Sequence, residues 1–187
     1  MALASGIFAL EGDPELDLTR RYSMRPVLQF LKDLNAIDFI FRDIGTPEEL
    51  QHYLTRWTLA KHHKYNIGYI SFHGTPGAIS FPDSRKPAVT LEMLGEWLEG
   101  RLEGRLIHFC ACSVMRLGDA RLQRFVKQTR TTAVMGYRTD IDWAESMAFD
   151  SLLFNALTRY TRLSDAVNYL DRIAGTLKQH LGFHVIR

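Results

Sequence analysis

The sequence predicts one three-layer α/β domain over residues 1–187, built on a mostly parallel six-stranded sheet with helices on both faces. Short apolar runs typical of buried strands alternate with longer segments that carry apolar residues at helical spacing. This alternation implies crossover connections, and therefore a doubly wound, mostly parallel sheet. The composition, 46% hydrophobic and 24% charged, is enough for one substantial core. No repeat, linker or low-complexity tract divides the chain.

The first half of the chain predicts three strands separated by two helices. The turn-forming Gly12-Asp13-Pro14 ends the first apolar run. Pro26 suits the first turn of a helix, and apolar residues follow it at helical spacing. Thr46-Pro47-Glu48-Glu49 is a capping box that opens a second helix, to about residue 60. The predicted strands are residues 7–10, 37–44 and 67–72.

The second half predicts three further strands and four helices. A small accessory strand or hairpin is predicted at residues 78–81, just beyond Pro76-Gly77. Thr90 is placed to cap the helix that follows it, which ends at Gly100 or Gly104. The remaining helices are predicted at residues 119–127, 143–160 and 164–180, and the strands at 106–110, 132–137 and 183–186.

Charge and composition exclude several classes of function. Lys and Arg number 23 against 21 acidic residues, so a net charge of +2 gives no electrostatic case for binding nucleic acid or a membrane surface. Neither a GxxxxGK[ST] nor a GxGxxG phosphate-binding motif is present. The apolar start of the chain lacks a basic segment, and no apolar run approaches the roughly 20 residues of a membrane span. We expect a cytoplasmic protein with its cysteines reduced.

A histidine and a cysteine end two neighbouring strands of the predicted sheet. Phe72-His73-Gly74 follows the third strand, and Cys110-Ala111-Cys112-Ser113 ends the next. Residues just past the carboxyl ends of parallel strands meet in one crevice, where α/β folds place their chemistry. Thiolate is a nucleophile, and an imidazole can take the thiol proton and later return it to a leaving amine. We therefore predict that Cys112 is the nucleophile and His73 the general base and acid.

The residues beside this pair fit the same interpretation. Gly74 has no Cβ, so its backbone N–H can approach a reacting carbonyl and form an oxyanion hole with the N–H of Cys112. On residue types alone the alternative is that these are buried structural residues, because seven histidines and two cysteines pair readily by chance. Cys110 lies within a predicted strand and is the competing candidate for the nucleophile. His108 lies on the same face of this strand as Cys110 and is interpreted as a buried structural histidine.

Two segments resemble the caspase-like cysteine peptidases. The segment at residues 72–79 is similar to their His-Gly segment, in which a second glycine leads into a small hairpin. Residues 106–113 resemble the strand ending in Ala-Cys that carries their nucleophile. The strand, acidic loop and helix at residues 133–157 are most similar to bacterial CHAT-type members. The resemblance covers about residues 67–157 and implies a caspase-hemoglobinase-like fold. It also implies cysteine endopeptidase activity in a bacterial stress or defence response, under the control of a protein partner.

Four acids are predicted to rim the same crevice and to bind a basic side chain on the acyl side of a protein or peptide substrate. They are Glu11 and Asp13 after the first strand, and Asp140 and Asp142 after the fifth. Carboxylates favour Lys or Arg through charge pairing. The alternative for Asp140 and Asp142 is that they cap the helix at residue 143, whose N-terminus favours negative charge. We expect no cofactor and no metal ion.

Two other functions remain open from the sequence. A catalytically silent caspase-like module could use the same fold for partner binding or regulation, since dyad residues can persist in a closed site. A flavodoxin-like or receiver-like binding domain would need anion-binding loops or a phospho-acceptor aspartate after the third strand. The sequence places His73 at that point instead, so the peptidase is the leading hypothesis.

Overall fold

A six-stranded sheet organises the part of the chain that the computed structural model describes, residues 3–12, 22–81, 83 and 85–187. The strands are β1 (Gly6–Gly12), β2 (Asp38–Ile44), β3 (Ile67–Ser71), β4 (His73–Thr75), β5 (Ala78–Ser80), β6 (Val89–Thr90), β7 (Leu106–Cys110), β8 (Ala133–Tyr137) and β9 (Phe183–Ile186). The helices are α1 (Arg25–Asp33), α2 (Pro47–Trp57), α3 (Leu91–Trp97), α4 (Asp119–Thr129), α5 (Trp143–Arg159) and α6 (Leu163–His180), with a 3-10 helix at Ala60–His62.

The strand order in this sheet is β2-β1-β3-β7-β8-β9. The first five strands are parallel, and β9 pairs antiparallel with β8. The prediction of a mostly parallel six-stranded α/β sheet is therefore confirmed. Since β1 pairs with β2 on one side and β3 on the other, the strand order reverses between β1 and β3. Open α/β sheets form their ligand crevice outside the carboxyl ends of the strands at such a reversal.

Helices cover both faces of the sheet, which makes the fold three-layered. Successive residues of a strand point to opposite faces, so Ile7 and Ala9 of β1 join one core and Phe8 and Leu10 the other. The first core lies beneath α1, α5 and α6, and the second beneath α2, α3 and α4. Both faces of the central strands are thus buried, which explains why the sequences of these strands are continuous apolar runs.

Threonine side chains cap the first turns of α2 and α3. The hydroxyl of Thr46 accepts a hydrogen bond from the N–H of Glu49 at 3.2 Å, and that of Thr90 accepts one from Met93 at the same distance. Both caps were predicted from the sequence. The helix predicted to run to about residue 60 ends at Trp57, and the chain continues into the short 3-10 helix.

The accessory hairpin is larger than the sequence indicates. The strands β4, β5 and β6 form a separate three-stranded antiparallel sheet, and His73 is the first residue of β4. The turn between β4 and β5 places Gly77 in a left-handed conformation, with φ of 77°. The N–H of Gly77 donates to the carbonyl of Val114 at 3.1 Å, which ties this hairpin to the loop that follows β7. In the described ranges, no helix is long and apolar enough to cross a membrane.

Candidate active site

A pocket of about 190 Å³ opens at the carboxyl ends of β1, β3 and β7. It lies where the strand order reverses, because both Gly12 at the end of β1 and Ser71 at the end of β3 line it. Its lining residues are Gly12, Tyr22, Ser71, Phe72, His73, Cys110, Ala111, Cys112, Ile141 and Trp143. The pocket is thus bounded by the segments after β1, β3, β7 and β8.

The two predicted dyad residues line this one pocket. His73 is exposed at the start of β4, and Cys112 is half-buried two residues beyond the end of β7. A backbone hydrogen bond of 3.3 Å, from the N–H of Phe72 to the carbonyl of Cys110, holds the two segments side by side. The structure therefore brings an imidazole and a thiol to the same crevice.

Gly74 packs tightly against the segment that carries Cys112. A Cβ at Gly74 would overlap the carbonyl oxygen of Cys112 and lie 2.7 Å from Val114 Cγ2 and 2.9 Å from Ala111 Cβ. Contacts this short do not occur in folded proteins, so only glycine fits. The predicted oxyanion donors, the N–H groups of Gly74 and Cys112, accordingly belong to backbone segments in direct contact.

The loop after β8 holds the sulfur and backbone of the cysteine segment. The N–H of Ile141 donates to Cys112 Sγ at 3.5 Å, which places a backbone donor against the sulfur. Ser113 adopts a left-handed conformation with φ of 55°, so the chain turns sharply just after Cys112. The N–H of Ser113 donates to the carbonyl of Thr139 at 2.9 Å. Cys112 is therefore fixed on both sides by backbone contacts.

Glu11 is buried beside the pocket and hydrogen bonded. Its side chain accepts from the hydroxyl of Ser23 at 2.5 Å and from the N–H of Met24 at 2.6 Å, and the residue is only 4% exposed. Burial raises the pKa of Glu11, and these two hydrogen bonds oppose the increase. Glu11 anchors the start of α1, and Asp13 lies outside the described residues.

The two acids after β8 are exposed and engaged with their own loop. Asp140 accepts a hydrogen bond of 2.5 Å from the hydroxyl of Ser113. Asp142 is the N-cap of α5 and accepts from the N–H of Glu145 at 3.0 Å. Asp142 thus has the capping role that the sequence offered as the alternative, whereas Asp140 holds the turn after Cys112. Binding of a basic substrate side chain by these acids stays a prediction.

A buried polar cluster lies on the sheet face that carries Cys110. The carboxylate of Asp150 accepts from the hydroxyls of Tyr69 at 2.8 Å and Tyr137 at 2.5 Å, and lies 2.6 Å from Nε2 of His108. His108 is fully buried, in agreement with its interpretation as a structural histidine. Sequence reasoning missed this cluster, although the alternation along β3 and β7 indicates that Tyr69 and His108 share a face.

Cys110 differs from Cys112 in its surroundings. It is 1% exposed, whereas Cys112 is half-buried and borders the pocket beside His73. Burial raises the pKa of the Cys110 thiol well above its ordinary value, and the nearby Asp150 carboxylate adds to this effect. A thiol that stays protonated is a poor nucleophile. The environment of the two cysteines thus favours Cys112 for chemistry and Cys110 for packing.

Three aromatic residues line the pocket, and sequence reasoning had quoted only one of them, Phe72, as part of Phe72-His73-Gly74. Tyr22 and Trp143 meet edge to face, with ring centroids 5.9 Å apart. Phe72 lies against the end of β1, and a Cβ at Gly12 would overlap its ring. Only Phe72 directly follows a strand, whereas Tyr22 and Trp143 lie ten and six residues beyond the ends of β1 and β8. Their convergence depends on the tertiary fold.

The fold and the site define an α/β domain with a thiol and an imidazole at the carboxyl edge of a mostly parallel sheet. The chain belongs to a family of unknown function, DUF6642, whose model matches residues 4–186. The match therefore spans every strand of the main sheet and includes His73 and Cys112. Comparison with curated proteins gives no significant match. Among the described residues, no group of three or more His, Cys, Asp or Glu side chains is arranged to hold a metal ion.

Proposed function

We propose that the protein is a cysteine endopeptidase of the caspase-like class, most similar to bacterial CHAT-type domains. In this proposal His73 is the general base and acid and Cys112 is the nucleophile. The observation that carries it is that both side chains line one pocket at the reversal of strand order. The backbone of Gly74 lies against Cys112 at the same place.

The proposed reaction begins with transfer of the Cys112 thiol proton to His73. The thiolate attacks the scissile carbonyl carbon and forms a tetrahedral intermediate, whose oxyanion accepts hydrogen bonds from the N–H groups of Gly74 and Cys112. As the C–N bond breaks, His73 returns the proton to the leaving amine, which leaves a thioester on Cys112. Neutral His73 then takes a proton from water as the water oxygen attacks the thioester carbon. The second tetrahedral intermediate expels the Cys112 thiolate and releases the acid product, and His73 returns its proton to the sulfur.

The contacts around Cys112 support its role as nucleophile. The hydrogen bond from the N–H of Ile141 to its sulfur is directed at the atom on which negative charge develops. The left-handed turn at Ser113 and the packing of Gly74 fix the backbone on either side of the site. A nucleophile whose backbone is held in place needs little reorganisation to react, and this lowers the barrier. The cytoplasmic location, the stress or defence setting and a controlling protein partner are part of this proposal.

Covalent labelling with peptide acyloxymethyl ketones tests the proposal. A panel with Tyr, Phe, Leu, Arg, Lys or Asp next to the reactive ketone keeps the result independent of side-chain preference. We expect one adduct on Cys112 by intact mass and peptide mapping. The adduct should be lost in Cys112→Ala, slowed strongly in His73→Ala, and still form on Cys112 in Cys110→Ala.

Two results would contradict the proposal. One is that no reagent labels well-folded wild-type protein faster than His73→Ala, which would instead support the catalytically silent module. The other is equal loss of labelling in Cys110→Ala and Cys112→Ala with folding intact, which would refute the assignment of the nucleophile. Circular dichroism and thermal unfolding of each variant establish that folding is intact.

A further inference from the structure

The described residues that line the pocket beside Cys112 include no Asp, Glu, Lys or Arg. Three aromatic residues, Tyr22, Phe72 and Trp143, line it together with Ile141. A cavity of roughly 150 Å³ lined by apolar groups is large enough for a benzene ring, and this pocket measures about 190 Å³. The walls therefore suit a substrate side chain with an aromatic or long apolar body.

No acid among the described lining residues is available to pair with a cation. Glu11 is buried and bound to Ser23 and Met24, and does not line the pocket. Asp140 is bound to Ser113, and Asp142 caps α5. Among the described residues, a Lys or Arg side chain placed among these rings would lose hydration and meet no carboxylate, so only cation–π attraction to the rings would offset that loss.

Ser71 adds a buried hydroxyl to this mostly apolar pocket. It lines the pocket at the end of β3 and is 1% exposed. Within the described part of the chain, its buried hydroxyl has no hydrogen-bond partner. A buried hydroxyl without a partner is destabilising, and a bound ligand with a polar tip could supply that partner. A pocket with apolar walls and one such polar group selects ligands by both features.

We propose that this pocket binds an uncharged substrate side chain with an apolar body and a hydrogen-bonding tip, of which tyrosine fits best. The side chain belongs to the residue on the acyl side of the cleaved bond, so the inference rests on the proposed peptidase function. It is an alternative to the basic preference expected from the four acids, of which Asp13 lies outside the described residues. The rings of Tyr22 and Trp143 hold the body of the side chain, and Ser71 binds its tip.

The test compares labelling efficiency, kinact/KI, across the same panel of ketones. We expect the Tyr reagent to label Cys112 at least about tenfold more efficiently than the Arg or Lys reagent, within the range by which single pocket contacts discriminate substrates. Ser71→Ala should lower the ratio of Tyr to Phe labelling by about three- to tenfold, the equivalent of one hydrogen bond. Trp143→Ala should reduce efficiency with Tyr and Phe. The control, Trp97→Ala, removes a half-buried tryptophan of α3 that does not line the pocket. It should leave the labelling efficiency with Tyr and Phe unchanged.

Fastest labelling by Arg or Lys would overturn this inference while supporting the peptidase. An unchanged ratio of Tyr to Phe labelling in Ser71→Ala would overturn the role of Ser71.

If no ketone labels the protein, the peptidase proposal fails. Methanethiosulfonates then test the pocket alone, because they react with a thiol without catalysis. The rate of each reagent with Cys112 is divided by the rate of the same reagent with glutathione. We expect this ratio to be larger for the benzyl reagent than for the 2-aminoethyl reagent. The reverse order would overturn the inference.

Discussion

Gly74 packs against the carbonyl oxygen of Cys112 so closely that a methyl group at position 74 would overlap it. This contact joins the hairpin that begins at His73 to the loop that carries the thiol. The hydrogen bond from Gly77 to Val114 joins the same two segments farther along. The imidazole and the thiol therefore belong to a single packed unit, and a change at this contact should alter their relative position.

Gly74→Ala should disrupt the site. The added methyl must push apart the segments of His73 and Cys112, and a displacement of about 1 Å at a reacting centre lowers rates by roughly 100-fold. Labelling of Cys112 by the Tyr ketone measures the effect. The control is Gly175→Ala, since a Cβ there meets nothing within 4 Å. Gly175 follows the kink at Ala174 in α6 and does not line the pocket, so this control should leave labelling unchanged. Equal labelling of both variants would contradict the prediction.

Asp140→Ala should slow labelling by every reagent to the same extent. Its carboxylate accepts a hydrogen bond from the hydroxyl of Ser113, which holds the turn after Cys112. Loss of one such hydrogen bond should lower the labelling rate by about three- to tenfold. Ser113→Gly is the matched variant, because it removes the same hydrogen bond and tolerates the left-handed backbone. If Asp140 instead binds a cationic side chain, only the Arg and Lys reagents will slow in Asp140→Ala.

Asp142→Ala should destabilise the protein by about 1 kcal/mol, the usual effect of removing an N-cap. Asp142→Asn removes the charge and keeps an oxygen that can accept from Glu145, so its free energy of unfolding should stay close to wild type. Thr46→Ala, at the equivalent cap of α2, provides a second measure of the same effect. Urea unfolding measures all three. A loss in Asp142→Asn as large as in Asp142→Ala would show that charge, rather than capping, is what matters.

The buried carboxyl of Glu11 predicts a pH dependence of stability. Because burial raises the pKa of Glu11 in the folded protein above its ordinary value of 4.5, the unfolded chain loses this proton first as pH rises. The folded state then binds more protons, so the free energy of unfolding falls across a window that begins near 4.5 and extends up to the raised pKa. Glu11 therefore stabilises least at neutral pH.

Glu11→Gln isolates this contribution, because glutamine has no proton to lose and its carbonyl can still accept from Met24. Urea unfolding of both proteins between about pH 4 and 8 should show wild type losing stability relative to Glu11→Gln as pH rises through that window. Above the window the difference should be constant. A difference that grows in favour of wild type with rising pH would mean that the folded state lowers the pKa of this carboxyl.

Local sequence signals were sufficient to predict most of the fold. Apolar runs marked the six strands of the main sheet, and Thr46 and Thr90 marked where helices begin, because these features depend on residues close together in the chain. The two-residue strand β6 was not predicted, since a strand this short has no period to detect. Its pairing with β5 is what defines it.

The candidate site was only partly predictable. His73 and Cys112 could be placed in one crevice because each follows a strand of a parallel sheet. The capping role of Asp142 was visible in its position just before a helix. The partner of His108 was not visible, because Asp150 lies on α5, 42 residues along the chain. Such pairs depend on how a helix packs on the sheet, which local sequence patterns do not specify.

The cluster around Asp150 has a consequence for sequence variation in the family. One carboxylate there binds two tyrosine hydroxyls and an imidazole in the buried core, and removing one partner of such a network leaves the others unsatisfied. Relatives that replace Asp150 with an apolar residue should therefore also replace Tyr69, His108 and Tyr137. These four positions are expected to covary across the family independently of any change at His73 or Cys112.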